Sequence, residues 1–174
     1  MHKTTVWISR TAVLTALLIV LQFVTKPLGQ IVTGSCVNGI LAVAALSAGL
    51  WSGLTVALLS PFVAFLLGIG PQLLPIVPAI AAGNAVLVLL LWALSGKGEG
   101  SLKKHIAAWL LASAGKFLCL YLLVVRLLCV VLSLPEKQTA LFTAMFSWPQ
   151  LVTALIGGIV AALLVPVLKR AIKS

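Results

Sequence analysis

Long apolar runs, each close to the length that crosses a bilayer, alternate along this chain with short clusters of Lys, Arg, Gly and Pro. A membrane-spanning helix needs about 17 to 25 predominantly apolar residues, and that pattern predicts spans over 6–24, 51–69, 75–94 and 146–168. Two further runs are less regular. The one over 35–50 is short, and the one over 102–134 is long enough that it tilts or begins as an interfacial segment. Backbone exposed to lipid must satisfy its own hydrogen bonds, and the strands of a membrane barrel would be shorter and would alternate in polarity. The predicted fold is therefore an all-α integral membrane protein, a bundle of six transmembrane helices forming one domain over 1–174.

Composition agrees with that reading. The chain is 62% hydrophobic and 8% charged, with a mean hydropathy of +1.25. So little polar surface cannot cover a water-soluble globule of this size. A charge of +10 invites a nucleic-acid reading, but the cations punctuate apolar runs and form no basic face, so nucleic acid is set aside. With six spans the termini share a side. Lys3, Arg10, Lys97, Lys103, Lys104, Lys169, Arg170 and Lys173 all fall on it, whereas the opposite loops carry only Lys26 and Lys137. By the positive-inside rule both termini are predicted to be cytoplasmic. The first span lacks a good small-residue cleavage site after it, and Thr25-Lys26-Pro27 looks like a helix exit, so it is read as a retained helix. The glycines around Glu99 in 95–104 have no preceding strand and no Walker lysine, and read as a cytoplasmic turn. Cys36, Cys119 and Cys129 have no metal-ligand spacing and read as small apolar residues.

The topology exposes an asymmetry among the uncharged polar residues. Gln22, Gln30, Asn38, Gln72, Gln138 and Gln150 fall in the outer half, and Asn84 lies near the centre of the hydrocarbon. Lys116 reaches a similar depth from the other side, about nine residues or roughly 14 Å inside. A lysine at that depth costs at least about 2.5 kcal/mol, so it should face the bundle interior or a wet cavity. Arg126 follows ten residues later, roughly 80° around an ideal helix, so only one of the two cations can point straight into a shared cavity. The candidate binding residues are Gln30, Asn38, Gln72, Asn84, Lys116, Arg126, Trp148 and Gln150. Four of them have a plainer reading: Lys116 snorkelling, Arg126 and Trp148 as interfacial anchors, Asn84 as a helix staple.

The membrane interior lacks carboxylates, because Glu99 and Glu136 both lie outside the spans. That argues against proton or sodium coupling, and the chain has no nucleotide-binding or protease motif. No catalytic group, cofactor or metal site is predicted. If solute moves uphill, another subunit supplies the energy. Small-residue faces where a helix can approach closely occur at Ala12 and Ala16, and at Ala154, Gly158 and Ala162 with Gly157 and Ala161 beside them.

The stretch Arg10-Thr11-Ala12-Val13-Leu14-Thr15-Ala16 looks like an Ala-x-x-x-Ala motif, and Thr33-Gly34-Ser35-Cys36-Val37-Asn38, Gly49-Leu50-Trp51-Ser52-Gly53 and Ser60-Pro61 complete the pattern. On these residues and the six-helix topology, the chain resembles the substrate-binding S components of energy-coupling factor (ECF) vitamin transporters over nearly its whole length. The resemblance implies a prokaryotic plasma-membrane subunit. In it Ala12 and Ala16 contact a transmembrane scaffold subunit that engages two cytoplasmic ATPases, and a micronutrient binds near the outer face. An interior with cations and amides but no acids suits a neutral or anionic solute better than a cation. Metal-carrying relatives use an N-terminal Met-His, but Met1-His2 is followed by Lys3 and placed on the cytoplasmic side, so metal is not expected. Two other classes fit the bundle: a stand-alone facilitator or channel, and a membrane assembly protein without a transport role.

Overall fold

Gly29 and Gly49 adopt φ of +88° and +95°, a region costly for any side chain, and both end one helix and start the next. A computed structural model describes residues 3–95 and 102–173, and every regular element in them is helical. The elements are α1 (Lys3–Thr25), α2 (Gln30–Val43), α3 (Leu50–Leu66), α4 (Ile76–Ser95), α5 (Leu102–Leu120), α6 (Cys129–Val131), α7 (Glu136–Met145) and α8 (Trp148–Lys173). A wide π-helical turn over Ala44–Ala48 extends α2, and a longer one over Tyr121–Leu128 joins α5 to α6 in one rod. Five helical stretches are long and apolar enough to cross a membrane, and Leu50–Leu66 is apolar but shorter.

The boundaries differ from the expected ones in two instructive places. The second helix starts at Gln30, not at 35, and its polar residues Gln30 and Thr33 line an internal cavity. The segment before 146, expected to be a loop, contains α7 over Glu136–Met145. Its polar first turn hid it from an apolar window. The glycine-rich turn around Glu99 and the Met1-His2 pair lie outside the described residues.

Helix contacts close into a ring: α1 on α2, α2 on α8, α8 on α5, α5 on α4, α4 on α3, and α3 back on α1. Two apolar clusters fill its interior. Leu18, Leu41, Val56, Leu87, Val88 and Ala112 pack toward the end that carries the termini, and Ile76, Leu120, Val124, Phe142 and Phe146 pack toward the opposite end. Helices α2 and α8 approach backbone to backbone at Gly157. A Cβ on Gly157 would stand 2.6 Å from both the Asn38 Cβ and the Gly39 nitrogen, closer than side chains come. Gly158 makes room for the Trp109 indole, whose Nε1 donates to the Ala154 carbonyl at 3.2 Å. Within the described residues, the glycines of the α8 small-residue face therefore serve packing inside the bundle.

Candidate functional site

Between the two apolar clusters, three helices each contribute one buried polar side chain. On α5, Ala108, Ala112, Lys116 and Leu120 recur every four residues and are all buried, so the lysine sits on the inward stripe of its helix. Its Nζ donates to Asn38 Oδ1 on α2 at 2.5 Å and to Asn84 Oδ1 on α4 at 2.6 Å. The three residues are between 1% and 3% exposed. Asn38 is oriented by a second bond, its Nδ2 donating to Thr153 Oγ1 on α8 at 3.1 Å. Thr153 in turn donates to the Gln150 carbonyl at 3.2 Å. This chain of bonds fixes which end of the Asn38 amide faces the lysine.

The lysine borders a cavity of about 260 Å³ reached from the end of the bundle opposite the termini. Pro61, Ala64, Phe65, Ile69, Val77, Ile80 and Phe146 form its apolar walls. Gln22, Lys26, Gln30, Thr33 and Gln150 add polar groups. Near the mouth, Gln30 Nε2 and Gln150 Nε2 both donate to the Met145 carbonyl, at 2.6 Å and 3.0 Å, and Lys26 Nζ donates to the Gly68 carbonyl at 2.8 Å. These bonds tie the α1–α2, α3–α4 and α7–α8 connections together around the opening. Gln22 is 9% exposed and its Oε1 has no hydrogen-bond partner. Among the described residues, neither Asp nor Glu lines the cavity.

Gln30, Asn38, Asn84, Lys116 and Gln150 thus converge on one site. The structure places the other expected residues elsewhere. Gln72 is exposed, with Nε2 3.4 Å from the Gly70 carbonyl. Arg126 is exposed and lays its guanidinium 5.7 Å from the Tyr121 ring centroid, a cation–π arrangement. Trp148 is 64% exposed. None of these three lines the cavity.

The family model of the ECF transporter, substrate-specific component, matches residues 8–169. The chain belongs to this family. As a substrate-specific component it is a multi-pass membrane protein of transport, in a family of transporter subunits and not of enzymes. No curated protein and no solved structure matches the chain.

Within this ECF component, Ala12 and Ala16 lie exposed on one side of α1, while Leu18 and Gln22 turn inward from the same helix. Four residues of the site were not among the expected binding set: Gln22, Lys26, Thr33 and Thr153. Helical spacing carried a signal for some of them. Gln30, Thr33, Gly34, Val37 and Asn38 recur at three and four residues, which makes one stripe of α2. No comparable periodicity marks Thr153, whose part is to orient Asn38 across a helix contact.

Proposed function

We propose that this chain is the membrane-embedded cargo-binding subunit of an ECF-type importer in a prokaryotic plasma membrane. Six helices span the bilayer with both termini cytoplasmic, and the cavity beneath the Gln30 and Gln150 amides opens to the outside. There the protein captures a neutral or anionic micronutrient, a vitamin or related compound. It catalyses no reaction. Ala12 and Ala16 dock on a transmembrane scaffold subunit, two ATPases on that scaffold supply the energy, and the cargo leaves on the inside. The observation that carries this reading is Lys116: an amine held by two neutral amide oxygens beside a cavity with no carboxylate among the described residues, inside a bundle of a transport family.

The reading is tested by thermal shift of the purified chain against water-soluble vitamins and nucleobases, followed by uptake of the stabilising compound in cells. Binding by the isolated chain and uptake that stops when the scaffold or the ATPases are deleted are the expected results. Uptake that persists without those subunits would make the chain a facilitator, and absence of any stabilising compound would remove the cargo role.

A further inference from the structure

The hydrogen bonds already made inside the cavity restrict what is left for a ligand. Asn38 and Asn84 each give an oxygen to Lys116, and the Asn38 amide nitrogen is held by Thr153, so Asn38 and the Asn84 oxygen are committed to holding the lysine. An ammonium has three N–H groups and two are used, which leaves one for the cavity that Lys116 lines. Neither amide neutralises its charge. Among the described residues, the other titratable side chain of the cavity is Lys26, also a cation.

The glutamines have the opposite polarity. Gln30 and Gln150 spend Nε2 on the Met145 carbonyl, which leaves their oxygens as the free ends. Gln22 lines the same cavity, and its Oε1 is buried without a partner. The site therefore offers a cationic donor beside Lys116 and a group of acceptors from Gln22, Gln30 and Gln150. Its volume of about 260 Å³ lies just below the roughly 300–1,000 Å³ of sites that hold drug-sized ligands.

We propose that the cargo is a compact carboxylate that also carries N–H or O–H donors, with its acid group on Lys116 and its donors toward the glutamines. This rests on the reading of the cavity as the cargo site. The carboxylate supplies the counter-charge that the described residues lack there, and a buried cation without one is costly. The donors satisfy the glutamine oxygens, of which the Gln22 oxygen is otherwise a desolvated and unpaired acceptor.

The test uses the full chain in detergent and a panel of compact water-soluble carboxylic acids that carry a ring N–H or a hydroxyl. Each acid is paired with its primary amide and with its N- or O-methylated form. Thermal shift and native mass spectrometry read binding, and any small molecule that co-purifies is identified by its mass. The expected result is that the best acid binds at least about tenfold more tightly than its amide and more tightly than its methylated form. Gln22→Met should erase the preference over the methylated form while keeping that over the amide. Lys116→Met should erase the preference over the amide; because it strands two asparagine oxygens, the acid-against-amide comparison on the unmodified chain decides the matter if the variant does not fold. A tightest binder, or a co-purifying molecule, that is uncharged or cationic overturns the proposal and leaves the cavity as a cargo site. Absence of binding by every member together with absence of any co-purifying molecule overturns both.

Discussion

The two faces of α2 border two different hollows. One face presents Gln30, Thr33, Gly34, Val37 and Asn38 to the cavity of about 260 Å³ that holds Lys116. The other presents Ile31, Val32, Ser35, Cys36, Gly39 and Ile40 to a groove of about 400 Å³ shared with α1 and α8. The groove is the larger, yet Leu17, Leu21, Ile156, Val160 and Leu164 complete a wall with almost no polar group. In water such a groove would attract an apolar partner. In a bilayer, lipid tails are as apolar as its walls, so the hydrophobic effect gives no preference for one occupant. Specificity inside a membrane comes from polar groups that lipid cannot satisfy, and only the smaller hollow has them.

Substitutions on the two faces sharpen that contrast. Asn38→Ala removes an acceptor from Lys116 and the partner of Thr153 at once. Hydrogen bonds to charged groups are worth about 1.5–3 kcal/mol, so cargo affinity measured by calorimetry should fall by roughly 10- to 150-fold. Thr153→Val keeps the shape but leaves Asn38 Nδ2 unpaired, and the asparagine can turn away from the lysine. A loss of about 1 kcal/mol, or roughly fivefold in affinity, is expected from the same titration. On the opposite face, Cys36→Ala changes the groove but touches no polar contact. Affinity should stay within about twofold and the melting temperature nearly constant, since lipid fills the space. A Cys36 variant that weakens binding as much as Thr153→Val would show that the two hollows are coupled and end the distinction.

The inward lysine is legible in the sequence for a simple reason: depth along a helix is counted in residues, and that count puts Asn84 and Lys116, on neighbouring helices, at one level. Azimuth is less readable. The roughly 80° separation of Lys116 and Arg126 assumed ideal α-helical turns. The chain between them enters a π-helical stretch at Tyr121, where i→i+5 bonding advances less around the axis per residue. Arg126 ends outside the cavity, over Tyr121. The start of α2 was missed for the reason that makes it functional: polar residues on a helix face read as loop when the cavity they line is unknown. The approach of α2 to α8 at Gly157 was visible only as a run of small residues, because such a run does not say which helix it receives.

The order of synthesis gives the Lys116 contact a further meaning. Asn38 and Asn84 lie in helices made before α5, so both acceptors exist when the lysine emerges. A strongly disfavoured residue then enters the bilayer beside helices that can already receive it. Thr153, which orients Asn38, is made later on α8. The two acceptors of Lys116 are thus synthesised before it, and the residue that orients one of them after it.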